Sequence, residues 1–259
     1  ALKCLTGAKL IFYKHNIVQA KIDIYHRWIQ SHVDAFICVS KQVYDAQVIP
    51  TISYKYHLVY NGINTHRFPT IESKHKEPKQ FIVGYAGRIT ENKGIYELLE
   101  AIKILHSDNS DIRLRICGDG IHDDIQELHH YIMQYDIKDY VEYIGFQQDM
   151  NRFYRFIDCL VAPSKVREAF GLVLCEAMYC KVPVIASTSG AQGEIIENGV
   201  SGILIDAVNS EVIAEAIQTL MQDDVIRVSM IEQGYKRVKS TFTIAKMVDS
   251  IVTIIRNLR

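Results

Sequence analysis

The sequence has no excess of positive charge and no long apolar run. Among its 259 residues, 29 Lys plus Arg stand against 30 Asp plus Glu, a balance that excludes a globally basic nucleic-acid binder. Every apolar run ends well short of the ~18 residues that a membrane-spanning helix needs. We therefore expect neither a nucleic-acid partner nor a membrane span, and peripheral contact with a membrane surface stays open.

Cysteine is scarce, and its six copies include no C-x-x-C pair. Most of them lie inside apolar runs such as Phe36 to Val39 and Leu114 to Cys117. Cysteines in such runs are typical of buried, reduced thiols, so we expect a cytoplasmic protein, with any membrane contact at the cytoplasmic face. The apolar content of 48% is enough to close a core in one large or two small domains, which excludes intrinsic disorder.

Short β-rich segments alternate with longer segments of helical period along the whole chain. The predicted strands are Lys9 to Tyr13, Ala35 to Val39, His57 to Val59, Phe81 to Tyr85, Ile112 to Cys117, Val141 to Ile144, Cys159 to Ala162, Pro183 to Ala186 and Gly202 to Ile205. The predicted helices are Lys21 to Ser31, Lys41 to Val48, Gly94 to His106, Asp123 to Tyr135, Gly171 to Cys180, Ser210 to Gln222 and Ile244 to Asn257. This alternation predicts an α/β fold in which a parallel sheet carries helices on both faces.

A polar segment divides this pattern. Residues 68–80 contain two prolines and five charged side chains, which is typical of a linker between domains. The part after it, residues 81–243, is predicted to form a complete α/β domain. The part before it, residues 1–67, has too few predicted strands for a doubly wound domain of its own. We expect its missing strands to lie upstream of Ala1, where the chain opens without a Met, or to come from another chain.

The first candidate site follows the predicted strand at Phe81 to Tyr85, at the carboxyl edge of the sheet where ligands bind in open α/β folds. Lys93 is predicted at a helix start, where the helix dipole disfavours a cation by ~0.3–1 kcal/mol, so a cation there needs a functional reason. Arg88 and Lys93 would converge on a diphosphate as a planar fork and a mobile point charge. The alternative is a pair of solvated surface cations.

The second candidate site follows the predicted strand at Cys159 to Ala162. Its helix begins near Phe170 or Gly171, where free backbone N–H groups form an anion site. Glu176 lies on the second turn of this apolar helix, where a carboxylate is costly unless something binds it, and ribose hydroxyls are suitable donors. The alternative for Glu176 is a solvent-facing stripe, and for Glu168, in the loop before the helix, it is simple solvation.

Three further positions follow predicted strands at the same edge. Gly118 begins a tight Gly-Asp-Gly turn, whose lack of a third spaced glycine argues against a dinucleotide fingerprint. Residues 189–194 form a flexible turn that would close over a sugar or would simply connect two elements. His15 ends the first strand, where its imidazole would face the cleft between the domains or would have a structural role.

Metal-ligand patterns are missing from the sequence. The ten histidines show no metal-ligand spacing, and no pair of aspartates ends a strand. A Gly-x-Ser-x-Gly elbow and a Walker loop are also missing. We therefore expect no metal cofactor.

Taken in order, these segments resemble the retaining glycosyltransferases of family 4. The resemblance rests on Gly87-Arg88 with Lys93-Gly94, Pro163-Ser164, Glu168 and Glu176 with seven residues between them, Pro183 to Ala186, and Gly190 to Glu194. It extends from Lys9 to the C-terminus and includes Val39-Ser40 and Tyr60 to Asn64. The chain departs from the family pattern at Gly190-Ala191, where a Gly-Gly pair usually precedes the late glutamate.

The resemblance implies the GT-B fold, which has two Rossmann-like domains with parallel sheets. The first domain would be truncated at its N-terminus, and residues 244–259 would cross back onto it as a helix. The catalytic residues implied are Glu168, His15, Arg88 and Lys93. The donor-binding residues implied are Arg88, Lys93, Gly118, Phe146, Phe170, Gly171, Leu172 and Glu176.

In these implied roles, Arg88 and Lys93 neutralise the departing diphosphate, and Glu176 holds the ribose. Glu168 and His15 approach the donor sugar, and the turn at Phe146 cradles the base. Cations and helix-start amides would stabilise the charge that develops on the diphosphate, so the reaction would need no metal.

The implied reaction moves a sugar from a nucleotide-sugar donor, such as a UDP- or GDP-sugar, to a saccharide or lipid-linked saccharide acceptor. The anomeric configuration would be retained, and the product would be a surface polysaccharide or lipopolysaccharide. Two alternatives stay open. One is a nucleotide-binding subunit that needs a partner for the missing half; the other is a nucleotide-sugar epimerase of the same fold, which would need a water-activating carboxylate.

Overall fold

The computed structural model describes residues 7–69, 80–108 and 111–258, in which nine strands form two separate sheets. The strands are β1 (Ile11–Lys14), β2 (Ala35–Cys38), β3 (Tyr56–Leu58), β4 (Phe81–Ala86), β5 (Ile112–Cys117), β6 (Val141–Tyr143), β7 (Cys159–Ala162), β8 (Val184–Ser187) and β9 (Ile203–Ile205). Every pairing between these strands is parallel. The α/β architecture expected from the sequence is confirmed.

Ten α-helices connect or flank the strands in the described ranges. They are α1 (Ile24–His32), α2 (Lys41–Gln47), α3 (Ile95–Asp108), α4 (His122–Gln134), α5 (Met150–Arg155), α6 (Leu172–Tyr179), α7 (Gln192–Ile195), α8 (Ser210–Gln222), α9 (Asp224–Thr241) and α10 (Ile244–Asn257). Six begin after a side chain that accepts a hydrogen bond from a first-turn amide: Asp23, Ser40, Asp149, Asn209, Asp223 and Thr243. These polar caps fix where the helices start, because the first amides of a helix have no partner within it.

The first sheet has the order β1-β2-β3, and all four residues of the central strand β2 are buried. On one face Phe36 stacks on Tyr56 with ring centroids 4.5 Å apart. On the other face Ile254 of α10 joins Ala35 and Ile37 in one apolar cluster. α10 therefore contributes to the core of the first sheet.

The second sheet has the order β6-β5-β4-β7-β8-β9 and lies between two apolar clusters. Leu98 of α3 and Ile217 of α8 belong to the cluster on one face. Leu174 of α6 and Val238 of α9 belong to the cluster on the other face. Helices thus cover both faces, which buries β4 and β7 in the middle of the sheet.

The backbone also joins the two units near α10. The amide of Ile63 donates to the carbonyl of Phe242 at 2.9 Å, and the amide of Ile244 donates to the carbonyl of Ile63 at 3.0 Å. At the predicted linker, residues 70–79 lie outside the described residues. Phe68, at the start of that segment, is 4% exposed and packs against Tyr154 with ring centroids 6.1 Å apart. The chain therefore still contacts the second unit at this position.

The sequence analysis does not predict α9, an 18-residue helix. Its apolar residues do not form one stripe, because Val225 and Val228 are exposed while burial is limited to Met230, Gly234 and Val238. The short helices α5 and α7 are also unpredicted, since six and four residues are too few to show a helical period.

Candidate active site

The candidate site lies where β4 and β7 end side by side in the second sheet. The strand order runs from β4 outward through β5 to β6 and then returns to β7 on the other side of β4. In open parallel sheets such a reversal leaves a crevice at the carboxyl ends of the strands, where ligands bind. The loop after β4 carries Arg88 and Lys93, and the loop after β7 carries Glu168. The topology therefore brings the two predicted stretches together.

A cavity of about 390 Å³ opens between these two loops, and we call it the first cavity. Six residues singled out from the sequence line it: Arg88, Lys93, Glu168, Phe170, Gly171 and Leu172. Its volume is within the range of small-molecule sites.

Lys93 and Glu168 form an ion pair in the first cavity, with side chains that are 28% and 25% exposed. Lys93 ends a short 3-10 turn, and α3 begins at Ile95, one residue after the predicted start at Gly94, so the lysine lies before the first helical turn and not in it. Between them Gly94 has a φ of 72°, and a Cβ there would lie 1.9 Å from the carbonyl oxygen of Pro163. Only glycine lets the two loops approach this closely.

The loop that carries Glu168 is held at both ends by backbone hydrogen bonds. The amide of Glu168 donates to the carbonyl of Ser189 at 3.0 Å, and its carbonyl accepts from the amide of Ala191 at 2.8 Å. Nearer to β7, the amide of Lys165 donates to the carbonyl of Asn92 at 2.9 Å. The predicted flexible turn at 189–194 therefore holds Glu168 in place.

Arg88 is exposed, and no hydrogen bond or ion pair of its guanidinium is found among the described residues. Its carbonyl accepts a hydrogen bond from the buried hydroxyl of Tyr85 at 2.7 Å, which fixes the backbone at this position. α6 begins after Gly171, and no side chain caps it. The first amides of an uncapped helix carry partial positive charge. The first cavity thus combines an unpaired guanidinium, a paired ammonium and a helix start.

Phe170 forms an apolar wall between the units. It is buried and packs against Tyr60 and Phe242, with ring centroids 6.2 and 5.8 Å away. Since Tyr60 belongs to the segment before the linker, both units contribute to this wall.

A second cavity, of about 430 Å³, adjoins the first, because residues 86–88 and Val173 line both. Gly118, Phe146 and Glu176, three predicted donor-binding residues, line the second cavity. The ring of Phe146 is 73% exposed and is therefore accessible to a planar ligand.

Gly118 lets the turn after β5 lie directly against the loop after β4. Its φ is 152°, and a Cβ at this position would lie 1.8 Å from the carbonyl oxygen of Gly87. A larger residue would therefore displace the loop that carries Arg88.

Glu176 is half-buried on α6, and its Oε2 accepts a hydrogen bond from the hydroxyl of Tyr154 at 3.0 Å. Burial raises the pKa of Glu176 above its ordinary value, whereas the Tyr154 hydrogen bond and the charge of Arg67 oppose this rise. Arg67 lines the second cavity and donates to the carbonyl of Gln148 at 3.1 Å. The geometry places Glu176 at the wall of the cavity and not on a solvent-facing stripe.

His15 does not line either cavity. It follows β1 directly, is exposed, and stacks on the ring of Tyr13 with centroids 5.2 Å apart. The structure thus does not bring His15 together with the other candidates, and its catalytic role stays a prediction.

Glu194 joins the two units. Its two carboxylate oxygens accept hydrogen bonds from the backbone amides of Lys41 and Gln42, at 2.7 and 2.9 Å, in the first turn of α2. A carboxylate is favourable at the start of a helix, where amides without partners point outward. Arg237 donates to the carbonyl of Glu194 at 2.9 Å and supports it from α9.

Two residues of the site are absent from the sequence predictions, and a third was included only as part of a turn. Tyr154 and Arg67 act on Glu176 from elements distant in the sequence, and neither lies at the carboxyl end of a strand. Gln192 is buried and lines the first cavity. Because it belongs to the turn at 189–194, following that turn toward the sheet edge would have identified it.

Among the residues that the structure describes, no group of three or more His, Cys, Asp and Glu side chains is arranged to hold a metal ion. Within the same ranges, no helix is both long and apolar enough to cross a bilayer. The five described cysteines are buried and form no disulfide, and burial raises the pKa of the Cys38 thiol to about 11.

Comparison with known proteins identifies the family. Residues 67–237 match the profile of the family described as "Glycosyl transferases group 1". The chain is 30% identical over 190 residues to the capsular polysaccharide biosynthesis glycosyltransferase CapM of Staphylococcus aureus, covering 71% of this chain and 49% of CapM. It is 23% identical over 266 residues to the lipopolysaccharide core biosynthesis mannosyltransferase LpcC of Rhizobium leguminosarum, covering 99% of this chain and 74% of LpcC.

Among solved structures, the chain is similar to Alr3699/HepE of Anabaena, crystallised in complex with UDP and glucose. The TM-score is 0.84 at 22% identity, over 98% of this chain and 73% of HepE. This likeness shows the GT-B fold of two Rossmann-like domains that the sequence resemblance implied. The chain spans about half the length of CapM and three quarters of the length of LpcC.

Proposed function

The chain belongs to the family of group 1 glycosyl transferases, and on that premise we propose that it transfers a sugar from a nucleotide-diphosphate donor to a saccharide acceptor. The observation that carries the proposal is the first cavity, where Arg88, Lys93 and the uncapped start of α6 meet. The names of CapM and LpcC support a product in a capsular polysaccharide or lipopolysaccharide. These names favour a transferase over an epimerase.

The charge that develops during the reaction explains why these groups meet. Breaking the bond between the sugar and the diphosphate builds negative charge on the leaving group. Arg88, Lys93 and the amides at the start of α6 stabilise that charge more strongly in the transition state than in the bound donor, which lowers the barrier. The proposal includes metal independence, because protein cations supply the positive charge.

The second cavity holds the nucleoside in this proposal. The carboxylate of Glu176 accepts hydrogen bonds from the ribose hydroxyls, and the exposed ring of Phe146 stacks against the base. Because Arg88 lines both cavities, a diphosphate beside it connects a nucleoside in the second cavity with a sugar in the first.

Glu168 changes partner when the donor binds. In the structure it pairs with Lys93, the cation that the diphosphate needs in this proposal. The diphosphate, which carries more charge than one carboxylate, takes over Lys93, and Glu168 becomes available for a sugar hydroxyl. Glu168 then contacts the donor sugar near the reacting carbon, as expected for a family 4 enzyme.

Retention of the anomeric configuration completes the proposed chemistry. The acceptor attacks from the face that the diphosphate leaves, so that no side-chain nucleophile is needed.

A reducing compartment agrees with the buried thiols of the described cysteines, and we place the protein in the cytoplasm or at the cytoplasmic face of the membrane. The acceptor in this proposal is a saccharide or a lipid-linked saccharide.

Calorimetric titration with UDP and GDP in EDTA tests the donor site directly. We expect one nucleotide to bind without divalent metal, and Lys93→Met to weaken that binding at least tenfold. Lys236→Met is the matched control, because Lys236 is an exposed lysine on α9 that lines neither cavity. Binding that appears only with added magnesium would contradict metal independence.

Transfer needs a separate assay, because the residues that bind the acceptor are not identified. The assay measures transfer of radiolabelled sugar from a nucleotide sugar to saccharide acceptors that are offered one at a time. The nucleotide sugar is the one that carries the base that binds best in calorimetry. If the chain is instead a binding subunit, nucleotide binds normally and transfer appears only when a partner chain is added.

A further inference from the structure

The hydroxyl of Tyr154 is buried behind Glu176. Tyr154 lies on α5, is fully buried, and lines neither cavity. Its O–H group lies 3.0 Å from Oε2 of Glu176 and 3.3 Å from the carbonyl oxygen of Val173. A hydroxyl donates one hydrogen bond, and the shorter contact to a charged acceptor is the stronger of the two.

The same contact leaves Glu176 free on its other side. One carboxylate oxygen is engaged by Tyr154, whereas no protein donor to Oε1 is found among the described residues. A carboxylate can accept several hydrogen bonds, so a pair of adjacent hydroxyls still finds acceptor positions. Burial and the nearby Glu176 charge raise the pKa of Tyr154 well above its ordinary value, and its hydroxyl therefore stays protonated at neutral pH.

Arg67 and Phe68, where the first unit meets the predicted linker, act on this pair from the other side. Phe68 packs on the ring of Tyr154, and the charge of Arg67 favours the ionised carboxyl of Glu176. The ring of Tyr154 is also in edge contact with Phe153, with centroids 5.5 Å apart. A ring held on several sides presents its hydroxyl in one position, which makes it a fixed donor.

We propose that Tyr154 is a positioning residue for the nucleotide: it does not touch the ligand, and its hydroxyl holds the Glu176 carboxylate in the orientation that accepts the ribose hydroxyls. The inference rests on the proposed function, because it assigns the ribose to Glu176. Without the hydroxyl, the three side-chain torsions of Glu176 are no longer restricted by this bond, and the carboxylate turns toward water.

A double-mutant cycle separates this role from a structural one. We expect Tyr154→Phe to weaken UDP binding about three- to tenfold in calorimetry, the net scale of one ordinary intramolecular hydrogen bond, because Tyr154 acts on the ligand only through Glu176. In the Glu176→Gln background the same substitution is expected to change the affinity less than twofold, because Tyr154 acts through the carboxylate. If GDP is the better ligand of the unmodified chain, it replaces UDP throughout.

A ligand without the ribose hydroxyls gives an independent readout. For 2′,3′-dideoxy-UDP, Tyr154→Phe is expected to bind as the unmodified chain does, since the hydroxyls that Glu176 would accept are missing. Tyr179→Phe is the matched control: Tyr179 ends α6, packs on Tyr235, and lines neither cavity. It is expected to bind both ligands normally.

The pH profile of binding supplies a third readout. The titratable and charged groups around the Tyr154–Glu176 pair are Arg67, Cys117, Cys175 and Cys180, with Arg88 and Asp119 in the cavity lining. The ionised carboxyl is the form that binds ribose, and the Tyr154 hydrogen bond lowers its pKa. Tyr154→Phe therefore moves the loss of UDP affinity at acid pH to higher pH, whereas Tyr179→Phe leaves it in place.

Each outcome supports or overturns a defined statement. If Tyr154→Phe weakens the binding of UDP and of the dideoxy ligand equally, its role is structural and the inference is wrong. The same holds if Tyr154→Phe weakens UDP binding equally in the unmodified chain and in the Glu176→Gln variant. In both cases the proposed function stands. If Glu176→Gln binds UDP normally, the ribose role of Glu176 fails and the inference with it. If the unmodified chain binds neither UDP nor GDP, the proposed function itself is wrong.

Discussion

Replacing Glu168 by Gln is expected to tighten the binding of free UDP. In the structure the Glu168 carboxylate pairs with Lys93, and both residues line the cavity assigned to the diphosphate. The diphosphate must break this ion pair before it can use the lysine. A glutamine of the same size removes the negative charge of Glu168. That charge both competes for Lys93 and repels the diphosphate.

The structure sets the size of the effect. The two side chains are 28% and 25% exposed, so the pair is partly screened by solvent. Partly exposed ion pairs contribute ~0.5–1 kcal/mol, which corresponds to about two- to fivefold tighter UDP binding once the pair is removed. UDP isolates this effect because it carries no sugar for Glu168 to contact.

Isothermal calorimetry of the two proteins at equal ionic strength measures the difference. Glu232→Gln is the matched control, because Glu232 also pairs with a lysine, Lys181, but lines neither cavity. In the Lys93→Met background, Glu168→Gln is expected to increase the affinity for UDP much less than it does in the unmodified chain. Weaker or unchanged UDP affinity in Glu168→Gln alone would refute the exchange of partners at Lys93.

Three other substitutions test further parts of the site. Glu176→Gln is expected to raise the urea midpoint of unfolding at pH 7, measured without nucleotide, and to weaken UDP binding. Folding raises the pKa of the Glu176 carboxyl, so its ionisation lowers the free energy of unfolding as pH rises, and glutamine removes this cost. Gly118→Ala is expected to lower the free energy of unfolding by about 2 kcal/mol or more and to weaken UDP binding over tenfold, because a Cβ would lie 1.8 Å from a backbone oxygen. Glu194→Gln is expected to speed hydrogen exchange in the first turn of α2 at least threefold and to leave α6 unchanged, as measured by mass spectrometry. A lower urea midpoint in Glu176→Gln would contradict the burial cost of its carboxylate. Normal UDP binding in Gly118→Ala would contradict the close approach of the two loops, and unchanged hydrogen exchange in Glu194→Gln would contradict its bonds to the start of α2.

The candidate site could be predicted from the sequence wherever it depends on the ends of parallel strands. Arg88, Lys93 and Glu168 follow strands that were predicted from their composition, and the carboxyl ends of parallel strands meet at one edge. Glu176 was found because a carboxylate on an apolar helix needs a partner. In both cases the local rule selected the residue but left a solvated side chain as an alternative, and the family resemblance supplied the expected role.

Contacts between distant segments could not be predicted in this way. Tyr154 is one of fifteen tyrosines, and its sequence neighbourhood does not indicate that its hydroxyl meets Glu176. Arg67 and Glu194 gain their roles only when the two units come together. For His15 the strand-end rule led to a different result. His15 follows the end of a strand, but it lines neither cavity.

The contact of α10 with the first sheet also determines when that sheet can be completed during synthesis. Ala35, Ile37 and Val59 are translated well before Ile254, which shares their cluster. The second unit has nearly all of its own core before α10 exists, because its two apolar clusters end at Phe242. Although domains generally fold in the order of their synthesis, here the part that is translated first acquires one face of its core last. The part of this face that α10 covers therefore stays exposed while the second unit is synthesised, and exposed apolar surface of this kind makes a nascent chain prone to aggregation.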